Sequence, residues 1–291
     1  MRILVTGAAG QVGSETLGRA TDHVVIGTSH HELNITSAEA VADALADHAP
    51  EFVVNAAAYT AVDRAEQEPE VAFAVNRDGA ANVARACASR RIPLLHLSTD
   101  YVFSGDGDGR LDEADPTGPV NVYGRSKLDG EEAIRELLTD HVILRTSWVF
   151  GAAGRNFVKT VLRLAGERDE LQIVADQTGC PTWAGDIADT IWLLVERFAR
   201  HGTLPWGTYH YCGTPPVTWH AFAEAIVERA RAAGPFEAPR IVPITTEGYP
   251  TPARRPIYSV LSCAKLETTF GIHPPPWNRG LDEVVRALSD G

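Results

Sequence analysis

The chain has 291 residues, 44% hydrophobic and 22% charged, which excludes a disordered or collagen-like polymer and allows one sizeable unit or two fused lobes. Its 26 lysines and arginines against 38 aspartates and glutamates leave a net charge of −12. With no basic cluster to offset that charge, nucleic acid is not an expected partner.

In chain order, "MRILVTG" runs straight into an apolar strand with no leader pattern. The strand leads into Gly7-Ala8-Ala9-Gly10-Gln11-Val12-Gly13 and then a helix, the context a pyrophosphate site requires. Gly7 permits the tight turn, Gly10 lets backbone approach a ligand, and Gly13 allows close packing of helix on strand, with the helix N–H groups facing the phosphates. The next strand ends in "VVIGTSHH", without the acidic residue that commonly holds a ribose 2′-hydroxyl. Thr28 and Ser29 stand there, and Glu32 lies several residues beyond. With nothing expected to repel a 2′-phosphate at close range, NADPH is the expected cofactor and NADH is accepted. His30 and His31 are adjacent rather than at ligand spacing, so no metal is assigned to them.

Apolar runs "EFVVNAAA", "PLLHLSTDYVF" and "HVILRTSWVF" continue the strands, and amphipathic stretches "SAEAVADALADH", "EVAFAVNRDGAANVARACASR" and "EEAIRELL" each predict a crossover helix. Uninterrupted apolar strands are covered on both faces, the condition of a parallel sheet between helices. The predicted fold is therefore α/β, a Rossmann-type doubly wound parallel sheet. After about Phe150 proline and glycine become dense, which marks a smaller C-terminal α/β lobe. The expected division is a dinucleotide-binding domain over 1–150, to which some later segments return, and a mainly substrate-binding lobe over 151–291. Cys87, Cys180, Cys212 and Cys263 are too far apart for a zinc site or a disulfide framework and read as reduced thiols. No apolar run approaches the roughly 18 residues of a membrane span, so no membrane association and a cytoplasmic location are expected.

The stretch "NVYGRSKLDGEEA" puts Tyr123 and Lys127 four residues apart, on one face of a helix. A phenol with a pKa of about 10 is a poor base near neutrality, and an adjacent ammonium lowers that value. The pair is therefore expected to exchange a proton with a carbonyl or hydroxyl, with Lys127 also reaching a nicotinamide ribose. Ser98 and Thr99 end the strand "PLLHLST", the edge where ligands bind in open α/β sheets, and Thr99 can donate to the same carbonyl oxygen.

The glycine turn, "NAAA" at 55–58, Thr99, Tyr123 and Lys127 resemble the extended short-chain dehydrogenase/reductase family across the whole chain. The blocks "GQVG", "NAAAYTAVDRAE", "STDYVFSG", "NVYGRSKLDGE", "RTSWVFG" and "DQTGCPT" are similar, in the same order, to its dTDP-4-dehydrorhamnose reductases. The resemblance implies Thr99, Tyr123 and Lys127 as the catalytic trio, and Gly10, Gln11, Val12, Ala57, Ala58 and Tyr59 near the cofactor. Ser29, Asn34, Ile35 and Ala56 join the expected cofactor side, with Asn34 standing where relatives carry an aspartate. Asn76 is read either there or as a buried structural amide. Asp100 and Trp148 are implied at the substrate, with Tyr101 beside them, the other reading of Trp148 being a plug between lobes. Arg255 is expected either at a diphosphate or in a surface salt bridge, and Trp219 as core.

Related dehydratases carry Thr-Asp-Glu at the strand end, where this chain has Thr99-Asp100-Tyr101. Without that glutamate, reduction of a C4 ketone on a nucleotide-linked 6-deoxysugar is expected rather than elimination. Some such reductases dimerise through glutamates around Mg2+. Glu15 matches the first, but the second falls at Gly185 and the third has no match, so a monomer or weak homodimer without metal is expected. The alternative reading is a non-catalytic NADP-binding regulatory subunit resembling the methionine adenosyltransferase β subunit, or a reductase of another 4-keto-6-deoxysugar.

Overall fold

The computed structural model describes residues 1–19, 22–234, 236 and 238–289. The first half runs β1 (Arg2–Thr6), α1 (Gln11–Leu17), β2 (Val24–Thr28), α2 (Ala38–His48), β3 (Phe52–Asn55), α3 (Val62–Ala65), α4 (Pro69–Phe73), α5 (Ala80–Arg90), β4 (Leu94–Thr99), α6 (Val122–Leu137) and β5 (His141–Thr146). It continues with β6 (Val149–Phe150), α7 (Phe157–Ala165), β7 (Glu170–Val174), β8 (Thr178–Gly179), β9 (Thr182–Trp183), α8 (Ala184–His201), β10 (Gly207–His210), β11 (Val217–Thr218), α9 (Trp219–Ala233), β12 (Arg240–Ile244), α10 (Ala264–Phe270) and α11 (Trp277–Ser289).

Six strands in the order β10-β5-β4-β3-β1-β2 make one sheet in which every ladder is parallel. Side chains alternate along β1: Ile3 and Val5 face the layer of α8, with Ile187, Ile191 and Leu194, while Leu4 faces Val41, Val83 and Ile134 on the other side. Burying each of these aliphatic side chains contributes about 1.5–3 kcal/mol, so both layers are needed to hold the sheet. Strand order reverses between β1 and β3, and the crevice outside their C-terminal ends is where such sheets take ligands.

Later segments do return to the sheet, as the sequence implied. β10 pairs with β5, and α8 lies on α1, where Trp192 donates its indole N–H to the Thr16 carbonyl at 3.0 Å. The remainder forms a smaller body in which α7, α9 and α11 share a core of Phe150, Val161, Phe222, Ile226, Trp277 and Leu281 beside the parallel pair β7–β12.

Two predicted elements divide. The helix expected over 70–90 is α4, a π-helical segment Ala74–Gly79, and α5. Within that wide turn Asn76 is buried, and a Cβ on Gly79 would stand 2.8 Å from the Ile35 side chain. The run "HVILRTSWVF" breaks at Trp148, whose left-handed φ of 46° ends β5's direction so that β6 pairs with β9 instead. All four cysteines are buried free thiols, and among the described residues no helix is long and apolar enough to cross a membrane.

Candidate active site

At the crevice, Gly7 adopts φ +70°, and a Cβ there would lie 2.5 Å from the Ala57 nitrogen. A Cβ on Gly13 would fall 2.2 Å from the Gly7 carbonyl oxygen, so both positions demand glycine for packing. Gly10 differs: its Cβ would meet only the Gly7 oxygen, at 3.2 Å, which leaves its other side open. That opening is the feature a dinucleotide backbone needs, and the turn fits one. The Val12 and Ile35 side chains are buried in the core, so they offer such a ligand their backbone. Gln11 accepts from Asn156 at 2.8 Å and thereby ties the turn to the second lobe.

The end of β2 corrects one expectation. The Glu32 side chain folds back and accepts the Ser29 N–H at 2.7 Å, so a carboxylate does stand at the strand end. This hydrogen bond holds Glu32 below the ordinary carboxylate range, and the charge persists. Asn34 points into its own turn, accepting from the Thr36 N–H and hydroxyl at 3.1 and 3.0 Å. Across the crevice, Ala56, Ala57, Ala58 and Tyr59 follow β3 at its C-terminal end. Asn76 clamps this loop: its Oδ1 accepts the Tyr59 N–H at 2.8 Å, and its Nδ2 donates to the Tyr59 carbonyl and the Ser126 hydroxyl, each at 3.0 Å. Every bond of that amide is internal, which supports its structural reading.

Thr99 ends β4 and Tyr123 stands in the first turn of α6, whose N-cap Asn121 accepts the Gly124 N–H at 2.8 Å. Position 124 must be glycine, because a Cβ would lie 2.1 Å from the Tyr101 carbonyl oxygen; the helix thus abuts the loop after β4. Burial pushes the Tyr123 phenol up to about 12, a hydrogen bond with Thr99 opposing and the charge of Asp100 adding to the rise. At that value the phenol keeps its proton near neutrality and has one to donate. Thr99 donates its hydroxyl to Asp100 Oδ1 at 3.0 Å, and Asp100, 2% exposed, is pushed by burial up to about 6.

The Lys127 amine donates to the Leu97 carbonyl at 2.7 Å and lies 3.2 Å from His96 Nε2. Burial brings it down to about 8, with Glu131 opposing. The buried amine takes these partners from β4, which satisfies it inside the fold.

Beyond Tyr123 opens a cavity of about 650 Å3 between the sheet edge and the second lobe, lined by Tyr101, Asp63 and Arg255 on one side and Phe157, Val161 and Trp219 on the other. The Tyr101 ring meets that of Tyr123 edge-on at 5.6 Å. Arg255 grips Asp63 with two nitrogens, at 2.8 and 2.7 Å, so the salt-bridge reading is the one seen, and the guanidinium still faces the cavity. Trp148 stacks on Trp219, which packs against the second lobe's core and also lines the cavity. Position 219 opens helix α9 rather than lying in its periodic stripe, a signal that was available in "VTWHAF". Phe157, Asp63 and His96 were missed, since nothing local in their sequence marks them.

Glu15 is paired with Arg19 at 2.6 Å, and a Cβ at Gly185 would meet the Trp183 ring and Arg19, each within 2.6 Å. Among the described residues no three His, Cys, Asp or Glu side chains cluster as a metal would require.

A family described as RmlD substrate binding domain matches residues 1–289. The chain is 47% identical over 298 residues to a dTDP-4-dehydrorhamnose reductase of Burkholderia thailandensis, covering 99% of each. To the same enzyme of Sinorhizobium fredii it is 44% identical over 290 residues, covering 99% of this chain and 98% of the relative. A dTDP-4-dehydrorhamnose reductase of Bacillus anthracis, solved in complex with NADP, superposes with a TM-score of 0.91 at 35% identity, covering 97% of this chain and 98% of that one. On its fold, its glycine turn and this match along nearly its whole length, the chain belongs to the RmlD substrate binding domain family of extended short-chain dehydrogenases/reductases.

Proposed function

We propose that this protein reduces the C4 ketone of dTDP-4-dehydrorhamnose to give dTDP-L-rhamnose, using NADPH and accepting NADH. The observation that carries the reading is Thr99 at the end of β4 with a protonated Tyr123 in the first turn of α6, its ring against that of the cavity-lining Tyr101, on the crevice that begins at the glycine turn. The names of the relatives support the substrate, and the NADP complex of the Bacillus anthracis relative supports the cofactor.

The turn of Gly7, Gly10 and Gly13 would hold the diphosphate of the reduced dinucleotide, which would supply the hydride for C4. Tyr123 gives its phenolic proton to the oxygen of the reduced carbon, and Thr99, turning its one hydroxyl proton from Asp100 to the substrate, donates a hydrogen bond to that same oxygen. Lys127 reaches the ribose side. Residues 1–150, completed by α8 and β10, hold the dinucleotide, and residues 151–291 supply most of the nucleotide-sugar wall, where Trp219 and Phe157 exclude water from one face. Glu15 being taken by Arg19 and position 185 being filled support a monomer or weak homodimer without a shared metal.

The test is Tyr123→Phe assayed with dTDP-4-dehydrorhamnose and NADPH, with the product identified by NMR. Loss of the general acid is expected to lower kcat by about 10²–10⁴-fold while NADPH binding is retained. Full turnover by the variant removes Tyr123 from the reaction.

A further inference from the structure

Two neighbouring arginines in the loop after β12 take opposite directions. Arg254 turns outward to the exposed Asp106 at 3.3 Å, whereas Arg255 lines the cavity beside Tyr101, Tyr249 and Thr251. The Arg255 guanidinium is only half used. Its end-on pair, Nη1 and Nη2, donates to Asp63 Oδ1 and Oδ2 at 2.8 and 2.7 Å. The other Nη1 hydrogen is shared by the Thr251 hydroxyl and the Ala253 carbonyl, at 2.8 and 2.7 Å. Nε–H and the second Nη2 hydrogen remain, the other fork of the planar group, and among the described residues neither meets an acceptor. Two parallel N–H donors of this kind match two oxygens of one phosphate.

The backbone under this fork is fixed at three points. The Ala253 N–H donates to Asp63 Oδ1 at 3.2 Å, and the Arg254 carbonyl accepts from Asn121 Nδ2 at 2.7 Å. Pro256 packs on Gly105, where a Cβ would stand 2.3 Å from the proline's own. Asn121 is also the N-cap of α6, two residues before Tyr123, and Glu66, three residues beyond Asp63, accepts the Val122 N–H at 2.8 Å. The short helix α3 and the residue that follows it therefore fix the fork and the start of the tyrosine's helix together.

We infer that Asp63 is a positioning residue for the substrate: by gripping the end-on pair of Arg255 it leaves the second fork to the cavity, where that fork takes two oxygens of a phosphate group. Reading this phosphate as part of a nucleotide sugar's diphosphate rests on the proposed function, whereas the fork does not. Arg255 holds Asp63 below the ordinary carboxylate range, so both are charged near neutrality. The two effects of Asp63 oppose each other. As a bare charge it repels a phosphate, and its removal would tighten binding; as the holder of a preorganised fork, its removal loosens binding.

Calorimetry separates these without turnover, on protein saturated with NADP+ so that the glycine turn is filled, titrated with dTDP and with inorganic pyrophosphate. Arg255→Gln is expected to weaken both by about tenfold or more. Asp63→Asn, which removes a negative charge at nearly constant shape, is expected to weaken dTDP by about threefold to tenfold while the affinity for NADPH is kept. An Asp63→Asn protein that binds dTDP as tightly as the parent, or tighter, overturns the inference. So does a parallel loss of NADPH affinity, the mark of a disturbed fold, and so does a parent that takes up neither phosphate compound. Pyrophosphate bound through Arg255 by a parent that ignores dTDP upholds the fork and removes the proposed function. Equal binding of dTDP by the parent and Arg255→Gln overturns the fork and leaves that function standing.

Discussion

The indole of Trp148 lies flat on that of Trp219, their planes 3° apart and their centroids 3.4 Å apart. Phe157 leans on the same Trp219 at 4.6 Å, so an aromatic wall faces the cavity with Trp148 behind it. The left-handed φ of Trp148 is uncommon for a bulky residue, and the stack is what holds it. Aromatic contacts of this kind contribute about 0.5–1.5 kcal/mol beyond their area. Trp219→Ala is therefore expected to raise KM for the nucleotide sugar by about threefold to tenfold, with a smaller change in kcat. Steady-state kinetics check this, and an unchanged KM would take the wall out of substrate binding.

Asp100 is a buried acid that accepts the Thr99 hydroxyl, at a cost to the fold. Its ordinary value of 3.8 rises to about 6 through burial. The stability contributed by the protonated form is fully present below 3.8 and is lost as pH rises through about 6. That difference corresponds to about 3 kcal/mol. Asp100→Asn, uncharged at every pH, is expected to gain up to that amount above about pH 6, the gain fading towards 3.8, and to lose kcat. Urea unfolding across this range, with a parallel assay, measures both.

The sheet was legible because β3 and β5 are buried at every position and carry the unbroken apolar runs Phe52-Val53-Val54 and Val142-Ile143-Leu144; two-sided burial writes itself into the sequence. The glycine turn was legible for a steric reason, since no side chain fits at Gly7 or Gly13. The π-segment at Ala74–Gly79 was not, because one residue of extra width leaves the apolar spacing of a helix nearly intact. The break at Trp148 depends on a partner more than 70 residues away, and no local pattern carries that.

Side chains that point along their own element were located well: Thr99 at a strand end and Tyr123 at a helix start. Charges that fold back were not. Glu32 was judged by its distance along the chain, yet a turn returns its carboxylate to Ser29. Helical spacing fixes where the Lys127 side chain begins, whereas its bond to the Leu97 carbonyl comes from β4, which spacing does not carry.

Glu32 should therefore tune the choice of cofactor. Its exposed carboxylate, held at the end of β2 by the Ser29 N–H, repels a 2′-phosphate, while the Ser29 and Thr28 hydroxyls do not. Glu32→Gln is expected to raise the ratio of kcat/KM for NADPH over NADH by about twofold to fivefold, as befits one solvent-screened charge. Because the group stays ionised well below neutrality, the parent's ratio should be flat across neutral pH. A variant ratio equal to the parent's would place the 2′ position elsewhere.

Behind the strand that carries Thr99, Glu131 and Arg145 are both buried, and the guanidinium meets the carboxylate twice, at 2.9 and 2.7 Å. Burial alone would raise Glu131, but the hydrogen bonds and charge of Arg145, with Ser98 and Arg135, outweigh it and hold the group below its ordinary 4.5. Its stability is thus present above 4.5 and lost as pH falls through the lower folded value. Removing one partner leaves a buried cation unpaired, a loss of about 3–5 kcal/mol against a total of roughly 5–15. Glu131→Leu should accordingly unfold at much lower urea, while Glu131→Leu with Arg145→Met should recover part of the loss, since neither charge is then stranded. A double variant no more stable than the single would mean that Ser98 and Arg135, rather than the ion pair, set the requirement for a carboxylate there.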